Sequence, residues 1–366
     1  MKPLRILFDH QIFSVQRYGG ISRYFNNLDE SLDLLPNVDS KIAAVYSENA
    51  YIDNDEVLLN NALGRRIFKG HQSRIYRWNR RYSSLRIRNN NFDVFHPTYY
   101  DPYFLDDLKK PFVLTVHDMI HEVMEDQFTD NNQVIPQKKL LIEKATAVIA
   151  ISEYTKSDII KFYPEAESKI RVIHHGFEYV PSGVGRLSLP GRYILFVGER
   201  YFYKNFVGMA KAIAPLLNAD PTRQLICTAG GNFTDEELVL FDQLKIKQQC
   251  RQINASDAEL HQLYRQALVF VFPSFSEGFG FPLLEAFTAG CPVAASDNSC
   301  FPEIGGDAAA YFDPNNDESI RETVSKLLTD EGLRQTLIEN GYERLKQFTV
   351  QKCVNETLEL YRELAK

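Results

Sequence analysis

Residues 276–290 read SEGFGFPLLEAFTAG, and between the carboxylates Glu277 and Glu285 lie two glycines, two phenylalanines and a proline. The apolar run LVFVFPS precedes them. That run reads as a strand, and PLLEAFTAG reads as a helix with Pro282 in its first turn, where a proline is tolerated. The loop SEGFGF therefore sits at a strand's carboxyl end and a helix's amino end. Gly278 and Gly280 let the backbone come close to a ligand, and the free amides and positive dipole there suit a diphosphate or a sugar oxygen. At about 1.5 Å rise per helical residue, the two carboxylates stand roughly 10 Å apart. This suits one elongated ligand held at two polar points, and is too long for a shared proton or a single metal. Carboxylates accept hydrogen bonds, as vicinal sugar hydroxyls require. On spacing alone a blander reading is equally open: Glu277 caps a helix and Glu285 is solvated.

A second group follows another apolar run, in YILFVGERYFYKN. Gly198 makes a turn, and Arg200 and Lys204 come after it. Cations at a strand's end can stabilise a departing diphosphate, Lys as a point charge and Arg as a fork. Two surface cations in a turn is the alternative. LICTAGGNF supplies another glycine turn, Gly230 and Gly231, which we expect to line the same cleft. INASDAELHQLYRQA holds Ser256 with Glu259 three residues on, a capping-box pattern with a structural reading. In the first half, Gly19 and Gly20 precede a helical pattern and form another amide-rich turn. FVLTVHDMIHE ends a strand at His117, the histidine we single out among eight, although a lone histidine is commonly structural.

The chain must hold these groups in place with 366 residues, which points to two domains. Short β-rich runs alternate with helical patterns. We expect strands at RILFDH, KIAAVYS, DVFHPT, FVLTVHD, AVIAIS and RVIHHG, then at YILFVG, LICTAG, RQINAS, VFVFPS, PVAAS and AAYFD. Continuous apolar runs imply strands covered on both faces, as in parallel α/β sheets. The Gly-, Pro- and Ser-rich stretch EYVPSGVGRLSLPGR is the linker candidate. The expected fold class is therefore α/β, with two doubly wound, Rossmann-like parallel-sheet domains facing a cleft. The first spans 1–180 and the second 190–349. Sheets of this kind bind ligands at their strands' carboxyl ends.

The net charge of −7 argues against bulk nucleic-acid binding. No apolar run approaches the length of a membrane span, and the first residues do not read as a signal peptide. The five cysteines form no C-x-x-C pair, so we expect reduced thiols in a cytoplasmic protein. No metal-ligand spacing stands out. Asp53-x-Asp55 reads as a polar loop. Metal-independent chemistry without a cofactor is the expectation.

The stretch PSFSEGFGFPLLEAFTAGCPVAASDNSCFPEIGGDAAAYFDPNN resembles the signature of the family-four retaining glycosyltransferases of the GT-B fold: a glutamate, seven residues and a second glutamate. The order of the glutamates, the glycines, Pro282 and PEIGGDAA carries the likeness, which covers most of the second half and, more loosely, the first. Mannosyl- and rhamnosyl-type transferases of bacterial surface-polysaccharide assembly look most similar. The resemblance implies that Glu277 lies near the transferred sugar and that Glu285 accepts from the nucleotide's ribose. It implies that Lys204 and Arg200, with Asn205, sit by the diphosphate, although Tyr203 stands where an arginine is common. Gly278, Phe279, Gly280 and Phe281 would offer amides to the phosphates, and Gly19 and Gly20 would approach the phosphates and the acceptor. His117 would touch the transferred sugar. Glu303 matches a family glutamate and reads equally well as a loop residue. The last helix, 350–366, would cross back onto the first domain, with Val350 where the family often has tryptophan. The implied activity is transfer from a nucleotide-diphosphate-sugar donor to a glycan or lipid-linked glycan acceptor. An epimerase or phosphorylase of the same fold, or a non-catalytic nucleotide-sugar-binding partner, are the alternatives.

Residues 57–92 hold nine Lys or Arg and no Asp or Glu. If helical, Arg74, Arg77 and Arg81 share a face. Such a segment, centred on 65–88, could lie on an anionic membrane or be a solvated face. No groove-reading or base-stacking module accompanies it, so nucleic acid is not an expected partner.

Overall fold

A computed structural model describes residues 2–52, 57–128, 133–178 and 185–366. The pair Asp53 and Asp55, and residues 179–184 of the linker candidate, lie outside the described residues. The chain divides into two compact units, one of residues 1–176 with 349–366, the other of residues 177–348.

The first unit contains β1 (Leu4–Phe8), β2 (Val38–Ile42), β3 (Val94–His96), β4 (Val113–Val116), β5 (Ala147–Ala150) and β6 (Ile170–Val172). These form two three-stranded parallel sheets, ordered β2-β1-β3 and β4-β5-β6. A single parallel bridge, Phe95 to Phe112, joins them. The central strands are buried along their whole length, as β4 and β5 show, which is why their sequences are unbroken apolar runs. The edge strand β2 differs: it was expected within 41–47 but spans Val38–Ile42. Its sequence, VDSKI, alternates, with Val38 and Ile42 buried and Lys41 exposed. An edge strand covered less completely carries the period-two pattern in place of a continuous apolar run.

The helix Val350–Leu364 belongs to this first unit. Its Cys353, Val354, Leu358 and Tyr361 join the cluster of Phe8, Phe25, Leu28 and Ile149. The last helix, expected at 350–366, is separated from the one before it: that helix ends at Leu345, and Thr349 caps the last by accepting from the Lys352 N–H. A β-carbon on Gly176 would come within 2.5 Å of the Val350 Cα, so the first residue of this helix packs directly on glycine backbone.

The second unit contains β7 (Tyr193–Val197), β8 (Gln224–Thr228), β9 (Cys250–Ile253), β10 (Val269–Phe272), β11 (Val293–Ser296) and β12 (Ala310–Phe312). They form one parallel sheet ordered β12-β11-β10-β7-β8-β9. The chain runs outward from β7 to β9, then returns to the other side of β7 at β10. That reversal leaves a crevice above the carboxyl ends of β7 and β10, where neighbouring connections leave in opposite directions.

Candidate active site

In the second unit, Lys204 follows β7 and Glu277 follows β10, so the two stand at the reversal point. Lys204 Nζ lies 2.5 Å from Glu277 Oε1, and both side chains are mostly covered, 16% and 13% exposed. The backbone is fixed on both sides of the pair. The Phe275 N–H donates to the Tyr203 carbonyl, 2.8 Å, which ties the two loops together. The Ser299 hydroxyl accepts from the Glu277 N–H at 2.9 Å and donates to the Glu277 carbonyl at 2.8 Å. Asn298 Nδ2 donates to the Phe275 carbonyl, 3.1 Å. Asn205 adopts a left-handed conformation at the start of the helix Phe206–Asn218, and its Nδ2 donates to the Pro314 carbonyl at 2.8 Å.

The helix Phe281–Thr288 begins directly after Gly280, whose φ of 87° is left-handed and favours glycine. Pro282 sits in the first turn as expected. Phe279 is buried, its ring edge-on to Phe281 and Phe348, so Phe279 offers a ligand its backbone rather than its side chain. Above Gly198, at the end of β7, a β-carbon would meet nothing within 4 Å. Glu285 lies one helical turn into this helix, and the Tyr264 phenol donates to its Oε2 at 3.1 Å. Glu285 thus already receives one hydroxyl.

Arg200 is not placed as expected. Its side chain is only 4% exposed, and every guanidinium N–H has an acceptor. Nε donates to Glu237 at 2.6 Å. The terminal nitrogens donate to Gln252 and to the carbonyls of Ala229, Gly230, Gly231 and Asn232. The planar fork sits over the rings of Phe206 and Phe233. Arg200 is therefore a strut for the 229–232 turn, with no N–H left for a phosphate. The turn needs it: Ala229, Gly230 and Gly231 all have positive φ, and their carbonyls converge on one cation. Gly230 is where this packing is tightest, since a β-carbon there would meet the guanidinium at 2.9 Å. Glu237 completes the arrangement, accepting from Arg200 and, through Oε2, from the Thr234 N–H that it caps. Ser256 and Glu259 form the expected cap, the Ser256 N–H donating to Glu259 at 2.9 Å. The Glu303 carbonyl accepts from Arg344.

In the first unit, His117 follows β4 and is 6% exposed. Its ring lies 5.5 Å from that of His175, nearly parallel, and edge-on to Tyr24 and Phe25. Neither ring nitrogen has a hydrogen-bond partner among the described residues. Burial pulls its pKa down to about 4, so the ring is neutral at physiological pH. Its peptide is clasped from both sides. The His117 N–H donates to the Tyr100 hydroxyl, 3.0 Å. Lys138 Nζ donates to the next carbonyl, that of Asp118, at 2.9 Å, and to Glu122 Oε2 at 2.9 Å. Lys138 lies 5.2 Å from the centre of the Tyr100 ring. This lysine is fully buried. A cation on the inner face of the helix Val134–Lys144, beside Leu141 and Ile142, was the sequence signal for it. Tyr264, Ser299 and Tyr100 gave none, because their partners lie far along the chain. His96 differs from His117: its nitrogens meet Tyr361 and Thr115. His10 meets Ser14. Gly19 precedes the helix Gly20–Asp33, and a β-carbon on it would strike the Gln16 side chain at 2.4 Å.

Among the described residues, no group of three or more His, Cys, Asp or Glu is placed to hold a metal ion, and no helix is long and apolar enough to cross a membrane.

Two family descriptions match the chain: "Glycosyltransferase Family 4" over residues 18–179 and "Glycosyl transferases group 1" over residues 185–344. The O-antigen chain mannosyltransferase B of Escherichia coli is 26% identical over 293 residues, 75% of this chain and 76% of that protein. Among solved structures, a sucrose-phosphate synthase from Thermosynechococcus elongatus superposes with a TM-score of 0.74 at 19% identity, covering 100% of this chain and 99% of its own. Anabaena Alr3699/HepE, solved with UDP and glucose, gives 0.70 at 16% identity over 98% of this chain and 99% of its own. With two parallel-sheet units and matches that together take in most of its length, the chain belongs to the family-four glycosyltransferases of the GT-B fold.

Proposed function

We propose that the chain moves a sugar from a nucleotide-diphosphate donor to a hydroxyl of a glycan or lipid-linked glycan, with retention at the anomeric carbon and without a metal, during cell-surface polysaccharide assembly. One observation carries this reading: the Lys204–Glu277 pair at the reversal point of the second sheet, beside the amide-bearing start of the helix Phe281–Thr288. Lys204 is neutralised by Glu277 before a donor arrives. A diphosphate entering there competes for the ammonium and releases the Glu277 carboxylate to accept from sugar hydroxyls. As the bond to the sugar breaks, negative charge grows on the departing diphosphate, and Lys204 with the amides of 278–281 stabilises it. Glu285, already accepting from Tyr264, has further lone pairs for a ribose. His117, neutral and with both nitrogens unpartnered, suits a sugar hydroxyl as donor or acceptor. The names of the relatives support a surface-polysaccharide role and a hexose such as mannose, and the UDP and glucose of the Anabaena structure support a nucleotide-sugar donor.

The first unit suits a membrane-borne acceptor. In the helix Gln72–Asn89, Ile75, Asn79, Ser83 and Ile87 face inward. Trp78, 48% exposed, and Leu85, 61% exposed, share the outer face with Arg74, Arg77 and Arg81. Arginines around exposed apolar side chains fit an anionic lipid surface, which would hold the protein on the cytoplasmic face of a membrane.

The test is a thermal-shift screen of nucleotide sugars followed by a transfer assay with the stabilising donor. A donor raises the melting point because it binds only the folded state. Transfer with an unchanged anomeric configuration supports the reading. Turnover of the donor with no transfer across a broad acceptor screen sinks it. Sedimentation with phosphatidylglycerol vesicles, but not phosphatidylcholine ones, tests the membrane contact.

A further inference from the structure

Besides its carboxylate, Lys204 has two aromatic neighbours. Its Nζ lies over the Tyr203 ring, 5.2 Å from the ring centre, and over the Phe272 ring, 5.8 Å from the centre. Both distances fall within the roughly 6 Å over which an aromatic face attracts a cation. Among the described residues, Glu277 is the one hydrogen-bond acceptor of the ammonium. The charge therefore sits between one carboxylate and two π faces, all within the second unit.

Both rings are themselves held. Phe272 ends β10 and is buried, its ring edge-on to that of Phe301 with the centres 4.8 Å apart. Tyr203 lies in the loop after β7 and is braced by its neighbours. The Tyr201 ring stacks on it at 6.1 Å, and the Phe202 ring meets it edge-on at 5.7 Å. The backbone beneath forms one turn of 3₁₀ helix, Phe202–Lys204. The Lys204 N–H donates to the Tyr201 carbonyl at 2.9 Å, and the Asn205 N–H to the Phe202 carbonyl at 3.0 Å. The Tyr203 carbonyl, bound to the Phe275 N–H, ties this turn to the loop that carries Glu277.

The two kinds of neighbour differ in what happens to them during the reaction proposed above. A lysine head rides on a flexible four-carbon stem. The Glu277 carboxylate cannot hold that head throughout, because the diphosphate takes its place. The rings are not exchanged. The face of an aromatic ring is the negative side of its quadrupole, so it attracts an ammonium and repels a phosphate. The diphosphate is thereby steered to the side that Glu277 occupies, while the two faces keep the ammonium where it was. Position 203 needs a neutral ring for this: an arginine there would set a second cation beside Lys204 and remove the π face.

Resting on the transferase reading above, we infer that Tyr203 is a positioning residue: its ring, with that of Phe272, holds the Lys204 ammonium in place while the anionic partner changes from Glu277 to the donor's diphosphate. The test is a double-mutant cycle on the full-length protein. Wild type, Tyr203→Leu, Tyr203→Phe, Lys204→Met and Tyr203→Leu/Lys204→Met are compared after melting points confirm folding. Leucine keeps the backbone carbonyl that Phe275 uses. Release of nucleoside diphosphate from a panel of GDP-, UDP-, dTDP- and ADP-sugars gives kcat, and calorimetry gives the affinity for each free nucleoside diphosphate. Tyr203→Leu should lower kcat about tenfold, within the span of a desolvated cation–π contact. Tyr203→Phe should keep most of the turnover. In the Lys204→Met background Tyr203→Leu should cost nothing further, because no cation remains to be held. Nucleoside diphosphate affinity should follow the same pattern. An equal loss in both backgrounds overturns the inference by making the ring a packing group. Wild-type kcat in Tyr203→Leu overturns it too, as does a Tyr203→Phe as slow as Tyr203→Leu, which gives the role to the hydroxyl. If the wild type turns over none of the panel, the transferase reading falls and the affinities decide the inference. A loss seen only where Lys204 is present then supports it, and an equal loss in both backgrounds, no loss or no binding at all overturns it.

Discussion

Lys204 Nζ and Glu277 Oε1 meet at 2.5 Å across the gap between β7 and β10, although the residues are 73 positions apart. The pair is held by Ser299 on the Glu277 side and by Asn205 on the Lys204 side. Lys204→Met removes the cation that the proposed leaving group needs. We expect kcat to fall by about 10²–10³, the range found when one preorganised electrostatic group is lost. Lys204→Arg should restore part of it. Steady-state kinetics with the stabilising donor measures this; an unchanged kcat in Lys204→Met would exclude the lysine from the chemistry.

Arg200 should behave differently. Removing it leaves the Glu237 carboxylate without its ion pair and the Gly230, Gly231 and Asn232 carbonyls without the donor they share, while the Ala229 carbonyl keeps Gln252. Arg200→Met should lose about 3 kcal/mol of stability, in line with breaking a covered ion pair. Chemical denaturation measures the loss. A variant of wild-type stability but abolished donor binding would return Arg200 to the phosphate site.

Tyr264→Phe removes the hydroxyl that donates to Glu285 and keeps the ring. If Glu285 holds the ribose, this change should raise the donor KM several-fold, about 1 kcal/mol, and leave kcat nearly unchanged. Equal falls in kcat and kcat/KM would instead place Glu285 in the transition state.

Lys138→Met strands Glu122 as a buried, unpaired charge and should cost about 3–5 kcal/mol. The double variant Lys138→Met/Glu122→Leu should recover much of that stability. If the clasp on the His117 peptide matters for turnover, the double variant stays folded and remains slow. Full activity in it would reduce Lys138 to a packing role.

The buried histidines set a pH dependence. Burial lowers the pKa of His117 to about 4 and of His96 to about 3, against 6.5 for the free side chain. Between these values the unfolded chain binds protons that the folded chain refuses, so stability falls as pH drops. Their contribution is complete above about pH 6.5 and is lost progressively as pH falls towards 3. Each histidine adds a slope of up to about 1.4 kcal/mol per pH unit in that window. Urea midpoints from pH 7 to 4 measure this, and His96→Gln should flatten the slope. A midpoint constant across that range would show that these rings do not resist protonation.

Much of the architecture was legible in the residues. Eleven of the twelve strands seen among the described residues lie close to where they were expected, most of them on unbroken apolar runs, because strands covered on both faces carry no polar alternation; the outer strands β6, IRV, and β9, CRQI, are of mixed polarity and less covered. The alternating edge strand β2 was the exception, displaced towards the amino end. The strand–glycine–proline–helix order around Glu277 was readable for the same reason: left-handed φ needs glycine and a helix's first turn accepts proline.

Which side chains are available for chemistry was decided only in three dimensions. Arg200 and Lys204 look alike in the sequence, two cations after one glycine. Yet the turn at 229–232, with Glu237 and Gln252, takes every N–H of the first, while the second meets a carboxylate at the sheet's reversal point. Lys138, Tyr264 and Ser299 earn their positions in the same way, through partners the chain brings together only by folding. Local sequence fixes backbone conformation, because φ preferences and burial periods are local. The commitment of a donor or acceptor depends on groups that sheet order brings within 3 Å.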